Sequence, residues 1–474
     1  SAWGYRGVRR GSRDEAPAGK GIIVRTQSLG DQTVDLLGRL VRLGCVNDLT
    51  ADSGGEERAA DLLEEFFAGL PVSIERITPH PGRTSLVVTV EGADPRSAGT
   101  PLTLLGHTDV VPVDTAKWTR DPFGAQIEDD VMWGRGTVDM LHLTAAMAVV
   151  TREVARRAQD GNPLARSLVF VAAADEEARG GLGVPWIGDN KPNALPWDAA
   201  LSEMGGAHVR GRRGGDSVVV VVGEKGAAQR RLHIRGDAGH GSVPLGRMSA
   251  VERLAQVSAA LSAARWPTAT DEVWAGFVRA FEFDETIETS LINGTYEGDY
   301  SEFEDLAAFA HAISHVTVAQ TVAHSGGPIN VLPSHATLEL DIRTLPGVND
   351  DDVDAAIAAA LGDLAEHVTI ERLLSEAATA SSIDTDLYRV IEAALTQRYP
   401  GTRVVPVFFP GGSDLRVARR LGGIGYGFGA VDSGASLGQV YSQLHAHDEH
   451  IALADVRATA EVLHEVVTSY LTDV

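Results

Sequence analysis

Residues 101–112 read Pro-Leu-Thr-Leu-Leu-Gly-His-Thr-Asp-Val-Val-Pro, and they carry the clearest indication of the fold class. Its apolar run, residues 102–105, predicts a short buried strand. His107 and Asp109 follow closely, so the strand is expected to carry an imidazole and a carboxylate at its carboxyl end. In folds that alternate strands with helices, ligands gather at the carboxyl ends of the strands. The stretch therefore indicates an α/β fold and the edge of the sheet that carries the chemistry.

Two more apolar runs end in the same way. Residues 167–174 lead into Asp175-Glu176-Glu177, and residues 199–201 lead, after one serine, into Glu203. Charged side chains mostly lie in water, so one such group alone carries little information. Three groups at three strand ends instead predict a shared cluster of His and carboxylate side chains on one rim of a sheet.

The rest of the first half supports a sheet that helices cover on both faces. Three- and four-residue spacing of apolar side chains predicts helices over residues 31–43, 56–70 and 140–157. Further strands are expected at residues 84–90 and 217–222. This alternation is typical of α/β proteins. Residues 1–28 are Gly- and Arg-rich without clear periodicity and are expected to form an arm or loop.

From residue 225 the pattern changes to that of a ferredoxin-like unit. The order strand, helix, strand, strand, helix, strand is expected over residues 230–235, 249–263, 315–323, 336–343, 350–361 and 368–374. An acidic segment, residues 268–310, interrupts this order and is interpreted as an insertion. We therefore predict a discontinuous catalytic domain with a mixed sheet flanked by helices, residues 1–224 and 375–474, and an inserted lid or dimerisation domain of βαββαβ type, residues 225–374.

Composition and charge narrow the functional classes. The 474 residues include 65 acidic and 41 basic side chains, with a formal charge of -24, which disfavours nucleic acid and anionic membranes as partners. Cys45 is the only cysteine, so neither an internal disulfide nor a Cys-based zinc site is expected. The sequence shows no apolar run of the length that a membrane span or a secretory signal needs. We expect a cytoplasmic protein.

Five segments carry side chains that bind metals. They are His107 to Asp109, Gly134 to Asp139, Asp175 to Glu177, Glu203, and His445 to Glu449. Mixed His and carboxylate ligands suit divalent zinc, cobalt or manganese. Two ions at roughly 3.5–4 Å need a carboxylate between them. Asp139, which follows a glycine turn, is such a residue, and the set predicts a metal-dependent hydrolase.

In this order the segments resemble the M20 metallopeptidase family of carboxypeptidases, aminoacylases, succinyl-diaminopimelate desuccinylases and dipeptidases. The likeness extends from about residue 30 to the end. It rests on the Gly-His-x-Asp-x-x-Pro stretch 106–112, the Gly-Arg-Gly-x-x-Asp stretch 134–139, the acidic pair after a strand, a single Glu before Gly-Gly, and a late His-x-x-Asp-Glu. Where the family often places Lys-Gly soon after the bridging Asp, this chain has Met140-Leu141-His142, which leaves the subfamily open.

The resemblance implies a role for each of these side chains. The implied ligands are His107 and Glu203 for one metal, Glu177 and His445 for the other, and Asp139 as the bridge. Asp109 would orient the imidazole of His107, because a metal-binding His needs its second nitrogen held. Glu176 would be the general base. His447 is the main rival of His445 as a ligand.

Four further positions match segments of the family. His240, in Gly239-His240-Gly241, would donate to the substrate carbonyl, often from the partner subunit; a turn histidine is the alternative. Asn330 and Arg343 would bind the substrate's amide and terminal carboxylate, although Arg343 could instead form a structural salt bridge with Asp341. Ser413, in a Gly-Gly-Ser-Asp loop, is expected to line the substrate cleft.

Together these residues imply a di-zinc enzyme, with cobalt or manganese as alternatives, that cleaves an amide bond. The expected substrate is a small peptide or N-acyl amino acid with a free carboxylate. Glu203, where an Asp is the other choice, resembles the carboxypeptidase and aminoacylase branches. A homodimer through the inserted domain is expected. A dipeptidase or deacetylase-type amidohydrolase on the same site, and a non-catalytic relative that keeps the fold, are the alternatives.

Overall fold

The structure is a computed structural model that describes residues 27–94 and 99–472. All but the last two residues of the predicted arm, residues 1–28, lie outside the described residues. Within the described ranges the strands are, in chain order, β1 (Ser73–His80), β2 (Arg83–Val90), β3 (Leu102–His107), β4 (Gln126–Glu128), β5 (Val131–Trp133), β6 (Leu168–Ala173), β7 (Ala199–Ser202), β8 (His208–Arg210), β9 (Asp216–Glu224), β10 (Gly226–Ala227), β11 (Arg230–Arg235), β12 (Gly239–His240), β13 (Thr317–Ser325), β14 (Val331–Leu332), β15 (His335–Thr344), β16 (Val368–Arg372), β17 (Thr379–Ala380), β18 (Arg403–Phe409), β19 (Ile424–Gly427) and β20 (His450–Ala452).

The α-helices of the same ranges follow the predicted alternation. They are α1 (Leu29–Leu43), α2 (Glu57–Phe66), α3 (Leu141–Gln159), α4 (Val184–Asn190), α5 (Ala250–Ala263), α6 (Glu272–Ala280), α7 (Glu285–Ile292), α8 (Ala307–Ser314), α9 (Asp350–Leu361), α10 (Asp386–Arg398), α11 (Leu415–Arg420), α12 (Leu437–Tyr441) and α13 (Leu453–Leu471). The first helix shows why the boundaries fall where they do. The Ser28 side chain accepts a hydrogen bond from the backbone N–H of Asp31, and Gly44 ends the helix at φ 56°.

The large sheet positions the site. Its order is β1-β2-β6-β3-β7-β19-β9-β17, and β8 and β18 also pair with β9. β3 runs parallel to both β6 and β7, and β19 runs parallel to β7, whereas β1, β2 and β8 pair antiparallel. The predicted α/β class with a mixed sheet flanked by helices is confirmed.

Side chains on the large sheet alternate between two cores. Along β6, Leu168 and Phe170 face one core, and Val169 and Val171 face the other. α1, α3 and α13 pack against one another on the first face, and α4 and α11 supply apolar side chains to the second. A strand that is buried on both faces reads as a continuous apolar run, which explains the patterns that preceded each candidate ligand.

A smaller antiparallel sheet contains the strands of the expected ferredoxin-like order. Its order is β10-β15-β11-β16, with β13 on the free side of β15, and α5 packs on its strands. These strands fall between β9 and β17 of the large sheet in sequence. Their role as a lid or dimerisation domain stays a prediction.

The acidic segment, residues 268–310, packs on the large sheet although its sequence interrupts the small one. It forms α6, α7 and the start of α8, and α6 lies against β18. Arg212 donates to the carbonyl oxygen of Glu302 at 2.8 Å. The backbone N–H groups of Arg213 and Gly215 donate to the carboxylate of Glu282 at 2.8 and 3.1 Å. The segment therefore extends the body of the large sheet.

A buried ion network fixes the loop that follows β6. Arg83 on β2 is 1% exposed and donates two hydrogen bonds of 2.8 Å to the carboxylate of Glu56. The same guanidinium donates to Asp175 at 2.6 Å. Asn47 donates to both Asp175 and Asp109, at 3.0 and 2.9 Å. Burial raises the pKa of Glu56 even beside Arg83, so the ionised carboxylate is costly to bury here. The guanidinium of Arg83 is therefore needed to stabilise the carboxylates of both Glu56 and Asp175.

Arg83→Leu is expected to destabilise the protein by about 3–5 kcal/mol, because Glu56 and Asp175 would remain buried without their cation. Arg76→Leu on β1 is the matched control. Arg76 pairs with Asp61 and Glu64 near the surface, where such pairs contribute under about 1 kcal/mol. The free energy of unfolding in urea measures both losses. Similar losses in the two variants would contradict the role of the network.

Candidate metal centre

The ends of three neighbouring strands meet at one rim of the large sheet. His107 is the last residue of β3, and β6 and β7 lie on either side of it in the sheet. Asp175 follows closely after β6 and begins the turn with Glu176 and Glu177, and Glu203 directly follows β7. The parallel strands β3, β6 and β7, with the turn after β6, thus bring together side chains that are far apart in sequence.

The first cluster consists of His107, Asp139 and Glu203, whose possible ligand atoms lie within 4.8 Å of one another. His107 Nε2 is 3.2 Å from Asp139 Oδ1 and 3.8 Å from Glu203 Oε2. All three side chains are buried. One imidazole and two carboxylates therefore converge on a site with little access to water.

The second cluster consists of Asp139, Glu177 and His445. His445 Nε2 is 3.1 Å from Glu177 Oε2 and 3.3 Å from Asp139 Oδ2. Asp139 thus presents Oδ1 to one histidine and Oδ2 to the other, so a single carboxylate belongs to both clusters. His447 belongs to neither of these two groups.

The chemistry of these donors fits two divalent cations. Within the part of the chain that the structure describes, Glu177 Oε1 and Glu203 Oε2 are buried without a hydrogen-bond partner. Burial and the charge of Asp139 raise the pKa of Glu177 to about 7 and that of Glu203 to about 8. Hydrogen bonds to Asp139 and Glu177 raise the pKa of His445 to about 10. Unpaired buried carboxylate oxygens are costly, and His with carboxylates is the donor set of zinc, cobalt or manganese.

Glu449 holds the loop that carries Asp139. Its carboxylate accepts hydrogen bonds from Arg135 Nη1 at 2.9 Å and from the backbone N–H groups of Gly136, Val138 and Asp139 at 3.0, 2.7 and 3.1 Å. The peptide bond from Asp139 to Met140 is cis. The late His-x-x-Asp-Glu segment therefore supplies His445 and also positions the shared carboxylate.

Asp109 positions two elements of the site by different atoms. His107 Nδ1 donates to the backbone carbonyl oxygen of Asp109 at 2.9 Å, and the nearest carboxylate oxygen of Asp109 is 3.5 Å away. The carboxylate instead accepts from the backbone N–H groups of Glu176 and Glu177 at 3.2 and 3.1 Å. Asp109 is thus the residue that holds the second nitrogen of His107, through its carbonyl oxygen, while the turn and Asn47 donate to its carboxylate oxygens.

Glu176 lies beside the clusters without belonging to either. Its Oε2 is 4.0 Å from His107 Nε2, and its side chain is largely buried. Burial, followed by the charge of Glu203, raises the pKa of Glu176 well above its ordinary value. A carboxyl group with a raised pKa can both accept and return a proton near neutral pH.

Of the four other predicted residues, Arg343 lines the cleft of about 440 Å³ that contains Asp139, Glu176, Glu177 and His445. Its guanidinium donates to both carboxylate oxygens of Asp341, at 2.9 and 3.2 Å, so the salt bridge considered as an alternative is present. Ser413 is buried and its hydroxyl accepts from the N–H of Leu415, whereas Gly411 and Gly412 line the cleft.

His240 and Asn330 lie together at the exposed two-stranded antiparallel sheet of β12 and β14, His240 within β12 and Asn330 directly before β14. The carbonyl oxygen of Asn330 accepts from the N–H of Gly241 at 2.7 Å, and Ser242 Oγ is 2.8 Å from His240 Nδ1. Neither His240 nor Asn330 is among the described residues that line the cleft of their own chain. The structure therefore does not bring these two residues to the metal centre within one chain.

Sequence reasoning missed several charged residues of the cleft. They are Arg179, Glu224, Lys225, Glu376 and Arg416. Glu224 and Lys225 directly follow the apolar run of β9, so the signal that found His107 could have found them. Arg179 lies two residues after Glu177, so the turn that located the acidic pair could also have located it. Arg416 and Glu376 reach the cleft only through the packing of α11 and a distant loop, and Glu376 pairs with Arg179 at 3.0 Å.

The two clusters of this protein contain the types of side chain that hold the ions in metal-dependent hydrolases. The particular family follows from its sequence. Residues 103–469 match the family model described as peptidase family M20/M25/M40, and the chain belongs to this family. It is therefore a metal-dependent hydrolase that acts on carbon–nitrogen bonds.

Known proteins similar to this chain have several activities. The "Probable carboxypeptidase S-like 2" of Dictyostelium discoideum is 27% identical over 344 residues, which are 70% of this chain and 64% of that protein. The match thus spans less than two thirds of that relative. A succinyl-diaminopimelate desuccinylase of Cereibacter sphaeroides is 26% identical over 451 residues, which are 92% of this chain and 98% of that protein.

A solved structure shares the fold. The M20 family metallo-carboxypeptidase Sso-CP2 from Sulfolobus solfataricus gives a TM-score of 0.65 at 20% identity, over 93% of this chain and 99% of that chain. At this identity the likeness concerns the fold alone. Across residues 27–94 and 99–472, none of the helices combines the length and the apolar character that crossing a membrane requires.

Zinc binding near neutral pH is expected to release protons, because Glu177, Glu203 and His445 have raised pKa values and bind metal only after losing their protons. Above about pH 9 the two glutamates are already ionised, so fewer protons should be released and the apparent affinity should rise. Calorimetric titration in buffers of different ionisation enthalpy measures the release. A release that does not change with pH would contradict this protonation of the metal-free site.

Proposed function

We propose that this protein is a di-zinc amidohydrolase that cleaves an amide bond in a small peptide or N-acyl amino acid with a free carboxylate. The observation that carries the proposal is the Asp139 carboxylate, whose two oxygens face two different histidines. His107 and Glu203 would hold one ion, and Glu177 and His445 the other. Cobalt and manganese are the alternatives to zinc for this donor set.

When bound, the two ions would lower the pKa of water and polarise the substrate carbonyl. Glu176 would take a proton from the attacking water and return it to the nitrogen of the leaving amine. Its neighbour Glu177 points into the second cluster, and the backbone of both is fixed by the Asp109 carboxylate. This division leaves Glu176 free for proton transfer while Glu177 serves as a ligand.

The charges of the cleft support a substrate with a free carboxylate. Arg343 and Arg416 line it, whereas the amine of Lys225 donates to oxygens of Ala312, His315 and Thr317. The pair with Asp341 uses Nε and Nη2 of Arg343, which fixes the guanidinium while Nη1 takes no part in that pair. A guanidinium held in this way suits a carboxylate ligand. The desuccinylase matched over 92% of this chain favours N-acyl amino acids over dipeptides within the proposed class.

We further propose a homodimer in which the two-stranded sheet of β12 and β14 delivers His240 and Asn330 to the cleft of the second copy. His240 is exposed, and the exposed apolar side chains of Val243, Leu245 and Ile329 lie in the same two loops. Apolar side chains gathered at an exposed tip are typical of a surface that another protein covers. In the partner's cleft, an imidazole would donate to the negative charge that develops on the carbonyl oxygen.

The compartment also remains part of the proposal. Cys45 is the only cysteine and is buried with a free thiol, which suits a reducing cytoplasm.

Zinc-loaded protein is expected to hydrolyse at least one member of a panel of N-acyl amino acids and dipeptides with free carboxylates. Glu176→Gln should keep its metal but lose about 10²–10⁴-fold in kcat, because an amide cannot accept the proton of water. Glu392→Gln, at an exposed position of α10, is the matched control. Initial rates and elemental analysis measure the two quantities.

Two outcomes would count against this proposal separately. If the Glu176→Gln variant keeps half of the wild-type rate with metal bound, Glu176 is not the general base. A metal-loaded wild type that hydrolyses no member of the panel does not have the proposed activity.

Mixing His240→Ala with Glu176→Gln is expected to restore activity, although each variant alone is inactive. A mixed dimer would contain one cleft with an intact Glu176 and an intact His240 from the other subunit. Subunit exchange is verified with differently tagged chains, and the rate of the mixture is compared with the rates of the parents. A mixed dimer without activity would show that His240 does not act across the interface.

A further inference from the structure

The cleft at the metal centre contains a continuous apolar surface as well as charged residues. Met204, Phe409, Tyr441 and Leu444 line it, and we refer to these four side chains as the apolar wall. The same four residues line a narrow apolar crevice that continues from the cleft between β9, β18 and α12. Met204 directly follows Glu203 and Leu444 directly precedes His445, so the wall adjoins a side chain of each cluster.

The wall is supported from behind by the acidic segment, residues 268–310. Phe309 of α8 is 3% exposed and lines the same crevice. Its ring meets that of Tyr441 edge to face, with centroids 5.1 Å apart at 74°. The ring of Tyr441 lies 6.3 Å from that of Phe409 at 76°. Phe309, which does not line the cleft, therefore packs behind the ring of Tyr441, and that ring in turn contacts the ring of Phe409.

Further contacts make this support rigid. The ring of Phe309 lies 6.0 Å from that of Phe277, which stacks on Phe303 at 6.1 Å inside the segment. Lys225, a cleft residue, donates to the carbonyl oxygens of Ala312 and His315 at 2.7 Å each. The end of α8 is thus tied to the cleft, and the position of Tyr441 follows from it.

The exposure of the wall indicates what it binds. Tyr441 is 36% exposed, and Met204, Phe409 and Leu444 are each only partly buried. Apolar surface left in water is unfavourable, in proportion to its area. A charged group placed against it would lose water without gaining a hydrogen bond, whereas an apolar group would remove both surfaces from water.

We propose that the apolar wall is a specificity subsite for an aliphatic or aromatic group attached next to the scissile amide. The inference rests on the proposed function, since it takes the cleft as the place of amide hydrolysis. Arg343 and Arg416 bind the carboxylate of the substrate, and the wall selects the apolar group. The acidic segment acquires a role as the support that shapes this subsite.

Two substrate series test the proposal on the zinc-loaded enzyme. In one the acyl group lengthens from acetyl to octanoyl on a fixed amino acid, and in the other the amino acid changes from alanine to leucine and phenylalanine under a fixed acyl group. In at least one series, wild-type kcat/KM should rise by about 10-fold or more with apolar size, as one or a few methylenes in an apolar pocket allow. The series that responds identifies the side of the amide that meets the wall.

Variants of Tyr441 separate the wall from the rest of the cleft. Tyr441→Ala removes the ring and should reduce the preference to within about 3-fold, whereas Tyr441→Phe keeps the ring and should keep the preference. Leu421→Ala, exposed and remote from the cleft, is the control for a loss of apolar surface elsewhere. A flat response in both series, or a preference that Tyr441→Ala leaves intact, would overturn the proposal.

Failure of the proposed function is recognised separately. If no compound in either series is hydrolysed, the amidase proposal falls, and the Kd of the same compounds, measured by calorimetry, tests the wall on its own. Affinity that increases with apolar size in wild type but not in Tyr441→Ala would support the subsite. Affinity that is independent of apolar size would overturn it.

Discussion

The mutual repulsion of four carboxylates at one rim of the large sheet constrains the residues around the metal centre. These carboxylates belong to Asp139, Glu176, Glu177 and Glu203. Burial alone would favour the neutral forms, and the raised pKa values of the three glutamates express this cost. Two features offset it. His107 and His445 stand between the carboxylates, and bound cations would pair with Glu177 Oε1 and Glu203 Oε2, which have no hydrogen-bond partner among the described residues.

The surrounding structure holds this arrangement by fixing the backbone of the loops that carry the ligands. Asp109 and Glu449 each use a carboxylate to fix backbone N–H groups of the loops that carry the ligands. Behind Glu203 the chain turns at Gly206 with φ 86°, where a Cβ would lie 2.1 Å from the backbone of Gly429. Glycine at positions 205, 206 and 429 therefore lets the chain after Glu203 approach the segment after β19 closely, and this approach positions Glu203 at the rim.

The rim could be predicted from sequence because its signals are local. A buried strand is a short apolar run, and the residue that follows it in a parallel sheet must lie at the common edge, which located His107, Glu177 and Glu203. The placement of residues 268–310 could not be predicted, since only tertiary packing decides which sheet a set of amphipathic helices covers. Ser413 turns away from the cleft for a local reason, because its hydroxyl accepts a hydrogen bond from the backbone N–H of Leu415.

The route of the chain between its two sheets has a mechanical consequence. It passes between them at two places, and at each the outgoing and returning segments are paired: Ala227 with Glu376, and Thr268 with His315. If the small sheet moved relative to the large one, these two points of attachment would favour rotation about the line that joins them. Lys225 stands beside the first point of attachment and donates to the carbonyl oxygen of His315 at the second, so one side chain braces the axis. Rotation of the small sheet about any other axis would have to break one of these two pairings.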